Sequence, residues 1–199
     1  MKKVITLSIY MLAMVTGMAT YANTASTNFD GGKKKEITLT LNNVKEGQKL
    51  SIKDNYGTIL YNTKIASTGF YNNKFDLTAL PNGEYSFEHE KGYEIKVIPF
   101  TVAKGEVTFN KQKEVSVFKP VVNFKDNNVY VNKLDLNKEK VNVNIYYASN
   151  DSEFQLIHSD EITDTTNVKR IYGLSQKRAG SYKVIINADG RDYVEYFKI

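Results

Sequence analysis

Apolar side chains recur at every second position through much of this chain, and that period admits little besides β-strands with one face on a core. Ile37, Leu39 and Leu41 alternate with Thr38 and Thr40. Val141, Val143, Ile145 and Tyr147 alternate with Asn142, Asn144 and Tyr146. Turn formers separate such runs: Lys45-Glu46-Gly47, Asn55-Tyr56-Gly57, Pro81-Asn82-Gly83, Lys91-Gly92, Lys104-Gly105, Ser149-Asn150-Asp151 and Asp189-Gly190. Composition agrees: Val, Ile, Thr, Tyr and Phe are plentiful, with 14 Tyr and 10 Phe, and these fit a pleated, half-buried surface better than a helix. No helical period emerges after residue 23. Strands about ten residues apart, broken by tight turns, are the pattern of antiparallel sandwiches.

The pattern repeats. Gly83-Glu84-Tyr85 opens a segment ending Phe100-Thr101-Val102, and Gly180-Ser181-Tyr182 opens one ending Phe197-Lys198-Ile199, with the same interval from glycine to phenylalanine. Aligned without a gap, Tyr85 matches Tyr182, Phe87 matches Val184 and Val97 matches Val194. Upstream, Lys49-Leu50-Ser51-Ile52 matches Lys140-Val141-Asn142-Val143, and Leu80 matches Leu174. A duplicated β-unit is the economical reading. The polar stretch Lys111-Gln112-Lys113-Glu114 and Pro120, which resists joining a central sheet, set the expected division: one sandwich over 28–114 and a second over 115–199. The expected class is all-β, two tandem antiparallel Ig-like β-sandwiches after a cleaved signal peptide.

That signal peptide is read over 1–22. Lys2 and Lys3 are followed by an apolar run from Val4 to Val15 and then by the small residues Gly17, Ala19, Thr20 and Ala22, the three-part layout of an export signal. The run is too short for a membrane span, which needs roughly 20 residues. The expected compartment is therefore periplasmic or extracellular, with no transmembrane segment in the mature chain. Cysteine is absent, which excludes disulfides, zinc–thiolate sites and thiol nucleophiles. Loss of Lys2 and Lys3 lowers the formal net charge of +5 by two, and the remaining charges are interspersed, unlike a nucleic-acid footprint.

Leu80-Pro81-Asn82-Gly83-Glu84-Tyr85 resembles the Leu-Pro-x-Gly-x-Tyr signature of Ig-like modules in secreted Bacteroidetes proteins. These include the C-terminal sorting domains of type IX secretion cargo and related tandem families of unknown function. Asp54-Asn55-Tyr56-Gly57 is similar to the Asp-x-x-Gly hairpin of such modules. The second half keeps Gly180-x-Tyr182 and ends on Tyr196-Phe197-Lys198-Ile199, but has Arg178-Ala179 in place of the proline and three extra residues between Leu174 and Gly180. The resemblance implies an Ig-like fold and export, and raises one functional alternative, a C-terminal half that serves as a secretion-sorting domain. The motif also has a physical reading. Glycine allows a positive φ before the strand. The tyrosine two residues later can place its ring in the core and its hydroxyl on a backbone group at the sandwich end, as in a tyrosine corner.

Chemistry is sparsely represented. His89 and His158 read as ordinary surface or hairpin histidines, and no nucleophile elbow, phosphate loop or zinc-protease motif occurs. The groups Asp151 and Glu153, Asp160, Glu161 and Asp164, and Asp189 and Asp192 lack calcium-loop spacing and read as solvated loops. No catalytic, cofactor-binding or metal-ligating residue is nominated, and a glycoside hydrolase built on paired carboxylates is the remote alternative. Tyrosines near turns beside Asn and Lys are the better lead, because rings there suit protein interfaces or sugar stacking. The expected binding surface is Tyr56, Tyr71 and Tyr147. The expected function is a non-enzymatic binding or structural module with an envelope or extracellular protein, or a glycan, as partner, and no nucleic acid.

Overall fold

The computed structural model describes residues 37–149, 152–174 and 178–199. The signal peptide expected over 1–22 and the Asn150-Asp151 turn lie outside the described residues.

The first unit begins with β1 (Ile37–Val44), β2 (Lys49–Asp54), β3 (Ile59–Lys64) and β4 (Gly69–Phe75). It continues with β5 (Gly83–Glu90), β6 (Glu94–Ala103), β7 (Glu106–Phe109), a short 3-10 turn and β8 (Val115–Phe118). β1 and β4 form one sheet. The other runs β3-β2-β5-β6, with β7 and β8 both on the outer edge of β6. The second unit comprises β9 (Val121–Lys125), β10 (Asn128–Leu134), β11 (Val141–Ala148), β12 (Gln155–Ile162), β13 (Asn167–Gly173), β14 (Ser181–Ala188) and β15 (Arg191–Lys198). Its sheets are β13-β10-β9 and β12-β11-β14-β15. Every pairing is antiparallel. Two separate cores result: Leu39 and Leu41 meet Ile52, Phe87, Ile98 and Phe100 in the first, and Val129 and Val131 meet Val143, Ile145, Val184 and Ile186 in the second. This is the face-to-face packing of an Ig-like sandwich, twice over.

Sequence alternation becomes burial directly. In β14 every second residue, Tyr182, Val184, Ile186 and Ala188, is buried. β1 breaks its rhythm once: after Leu39 and Leu41 the next buried residue is Val44, because Asn43 sits at φ 56 in a bulge that returns the chain to the core face. Two-residue hairpins close at Lys104-Gly105, Asp126-Asn127 and Asp189-Gly190, each with positive φ at both central positions. That is the turn whose twist matches the flanking strands.

The duplication is visible in the pairing. Tyr85 lies opposite Phe100 and Tyr182 opposite Phe197, with the rings stacked at 5.5 and 5.3 Å. Each tyrosine hydroxyl donates to the carbonyl four residues upstream, Tyr85 to Pro81 (2.8 Å) and Tyr182 to Arg178 (2.9 Å). Both corners therefore form as the motif predicts. Two expectations need correction. Leu50 corresponds to Val143 rather than Val141, since Ile52 faces Phe87 as Ile145 faces Val184; a two-residue slip keeps the same face, so alternation cannot detect it. Gly83 does not take a positive φ. Gly180 is needed for space, because a Cβ there would stand 2.5 Å from the Ala148 carbonyl oxygen and 2.7 Å from the Tyr147 ring. Val115 to Phe118, the stretch expected to open the second unit, pair with β6.

Candidate functional site

Glu88 is the residue on which the two units meet. It points outward from β5, where a carboxylate ordinarily faces water, yet it is only 6% exposed. Arg191, at the start of β15, grips it with both terminal nitrogens, at 3.1 and 2.6 Å, and Lys53 on β2 stands 2.7 Å away. Burial opposes its ionisation, but hydrogen bonds from Arg191 and Lys53 outweigh burial and hold the carboxyl below its ordinary range. A bidentate guanidinium–carboxylate pair fixes orientation as well as charge. One step behind Arg191, the turn residue Asp189 lies 2.9 Å from the ammonium of Lys133, whose side chain is 1% exposed. Asp135 completes this buried group at 3.8 Å. Charges thus run from the sealed end of the second sandwich to the outer face of the first.

Beside this clamp lies a cleft of about 1060 Å³. One wall is the outer face of the first unit's larger sheet, with Glu84, Val97 and Pro99; the other is β15 from Asp192 to Glu195. Burial pushes the Tyr193 hydroxyl up to about 12, and that hydroxyl has no hydrogen-bond partner. The cleft combines apolar walls with charged and hydroxyl groups, the mixture that orients a bound partner.

The three tyrosines nominated from sequence do not share a surface. Tyr56 is 88% exposed at the β2–β3 turn and lines the cleft. Its turn is held by Asp54, whose Oδ1 accepts from the Tyr56 and Thr58 amides. Tyr71 and Tyr147 lie within β4 and β11 and pack against the separate cores. The Tyr71 hydroxyl accepts from Asn73, and that of Tyr147 donates to Ala179. Proximity to turn formers suggested loops, but strand parity turned both rings toward the sandwich.

Other expectations shift likewise. His89 is not a surface residue: it is 1% exposed, with Nε2 2.8 Å from Gln48 Oε1, and burial pulls its pKa down to about 4. His158, by contrast, is exposed on β12 as expected, its ring tilted against that of Tyr172. Asp160 accepts from Tyr172 and Arg170, and Asp189 serves Lys133, so neither is a merely solvated loop carboxylate. Among the described residues no group of three His, Asp or Glu is placed to hold a metal ion. The clamp escaped the sequence reading because Glu88 and Arg191 are 103 positions apart. Lys133 did leave a trace: it shares parity with Val129 and Val131, and a lysine on the core face requires a carboxylate nearby.

No protein-family model matches the chain, and no curated protein is significantly similar to it. Among solved structures, a domain of a biofilm-associated protein matches 84% of this chain at 14% identity and a TM-score of 0.27; the chain spans 27% of its length. A fragment of native alpha-2-macroglobulin from Escherichia coli matches 86% of the chain at 14% identity and a TM-score of 0.26, with 70% of that fragment covered. The ligand-binding domain of human OSCAR matches 82% at 10% identity and a TM-score of 0.24, with 89% of it covered. Likeness at this level identifies no family.

Proposed function

We propose that this chain is an exported, non-enzymatic module that binds a partner protein in the cleft between its two sandwiches. The observation that carries the reading is the clamp. Arg191 and Lys53 bury Glu88 between the units and hold a cleft with mixed apolar and charged walls beside it. A flexible tandem would have no reason to bury a carboxylate at its junction, since an uncompensated buried charge is strongly destabilising. Tyr56 at the cleft supplies a ring of the kind enriched in interfaces. The division between units falls at Lys119-Pro120 in this reading, after β8 has completed the first sheet. Non-enzymatic action is supported by the histidines, one packed neutral in a core and the other tilted against a tyrosine ring.

Site-specific photocrosslinking in the producing cell tests the proposal. A benzophenone side chain at Tyr56, Pro99 or Val194 should capture one partner. The same probe at Ile171, exposed on β13, should not. Equal capture at Ile171, or none at the three cleft positions, would refute the reading.

A further inference from the structure

The outer edge of β15 forms one wall of this cleft, and the internal repeat shows what such an edge can carry. In the first unit the corresponding strand is β6, whose outer edge is covered. β8 pairs with Glu94 to Val97 and β7 with Phe100 to Ala103. By the repeat, Val97 corresponds to Val194, so the stretch that β8 covers corresponds to Arg191 to Val194. Among the described residues β15 pairs with β14 alone. Gly180 and Ile199 exchange both backbone hydrogen bonds, at 3.1 and 3.0 Å. The register is unbroken from there to Arg191. Alternation then assigns Phe197, Glu195, Tyr193 and Arg191 to bonds with β14. The N–H and C=O groups of Asp192, Val194 and Tyr196 therefore face outward from the sheet edge.

We infer that this edge accepts an extended, basic segment of a partner protein as a fifth strand of the β12-β11-β14-β15 sheet. The inference rests on the cleft-binding reading above and names its partner chemistry. An extended chain is favoured over a second sandwich because Asp192 to Glu195 open into a cleft whose far wall is the first unit's sheet. Such addition takes affinity from main-chain bonds and specificity from alternate side chains. The charges specify the segment. Glu195 is exposed on the edge although its parity points it inward with Tyr193 and Phe197, and Glu84 stands on the facing wall. Asp192 and Glu195 lie three positions apart on opposite faces, with Val194 between them (43% exposed) and Tyr196 beyond (65% exposed). The complementary strand carries a basic residue beside Asp192, an apolar one beside Val194, a basic one beside Glu195 and an apolar one beside Tyr196.

The test is selection of a randomised short-peptide display library on the immobilised full chain. Enriched peptides should carry two Lys or Arg residues three apart, interleaved with apolar residues. Val194→Pro removes an outward N–H without touching a β14 bond, and an edge strand tolerates proline; it should abolish binding, while Val194→Ala retains it. Glu195→Lys and Glu84→Lys should each weaken binding about tenfold or more. If Val194→Pro fails to fold, amide exchange on the unaltered chain decides instead: the Asp192, Val194 and Tyr196 amides should become protected on adding an enriched peptide. Peptides that bind Val194→Pro normally but lose affinity with Glu84→Lys would overturn strand addition and leave the cleft reading standing. Binding indifferent to both changes would overturn both readings. No enrichment, or enrichment of acidic peptides, would overturn the strand proposal.

Discussion

His89→Leu should remove a large part of the acid sensitivity of the first sandwich. The imidazole is 1% exposed on β5, opposite Leu50, and its pKa is pulled to about 4 by burial, with the Lys91 charge adding to the effect. In the unfolded chain it titrates near its ordinary value, about 6.5. The folded state therefore binds fewer protons, and stability falls as pH drops below that unfolded value, until the folded pKa is passed. Linkage gives a loss of about 2 kcal/mol at pH 5 and about 3 kcal/mol at pH 4 relative to neutral conditions. His89 Nδ1 has no hydrogen-bond partner, so leucine sacrifices only the contact with Gln48. At pH 7.5 the variant should lie within about 1 kcal/mol of the parent. Hydrogen–deuterium exchange of β2 and β5 peptides in urea, compared between pH 7.5 and 5, isolates the first unit; a two-sandwich chain need not unfold in one step. Parallel losses in parent and variant would refute the reasoning, as would a His89 Cε1 proton that titrates near the ordinary value.

Five further variants have expected outcomes. Phe100→Ala should lower the stability of the first unit by about 3–5 kcal/mol in urea unfolding, and Tyr182→Phe should cost the second about 1 kcal/mol through loss of the bond to Arg178. Gly180→Ala should destabilise by about 1–3 kcal/mol because its Cβ meets the Ala148 carbonyl and the Tyr147 ring. Gly92→Ala, with open space around it, should change the melting temperature little. Arg191→Met leaves Glu88 with Lys53 as its remaining charge partner and should loosen the junction, seen as a larger maximum dimension in small-angle X-ray scattering.

Strand period and turn chemistry are local, and for that reason most of the fold was legible before any coordinates. Tyr85 and Tyr182 could be placed in corners because glycine, tyrosine and the following alternation lie within a few residues of one another. The slip in matching Leu50 has the complementary cause: a period of two is silent about shifts of two, and only pairing with Phe87 and Val184 settles it. Tyr71 and Tyr147 stand in strands with their rings against the cores, because closeness to a turn in sequence says nothing of which face a strand residue takes. The pairing of β8 with β6 was not legible either, because the composition of Val115 to Phe118 suits either sheet and the edge it covers is a tertiary fact. The clamp was illegible for the same reason, since Glu88 becomes exceptional only when Arg191 arrives from the other unit.

The two copies differ most where the cleft is. In the first, β7 and β8 close the β6 edge, and the chain that seals it continues directly through Lys119-Pro120 into the second unit; the Lys119 amide donates to Tyr93 and its ammonium lies 3.0 Å from Glu90. In the second, no described strand covers the corresponding edge, which carries an exposed carboxylate, Glu195, at a position whose parity points to the core. Inward-pointing charges are one way edge strands avoid pairing with copies of themselves. Antiparallel self-pairing of β15 with Asp192 opposite Lys198 would set Glu195 against Glu195, so the same carboxylate disfavours that association and favours a basic strand. It follows that Glu195→Gln, which removes the repulsion but keeps the shape, should increase self-association at high protein concentration. Sedimentation velocity at neutral pH measures this, and an unchanged monomer for Glu195→Gln would show that something other than this carboxylate keeps β15 edges apart.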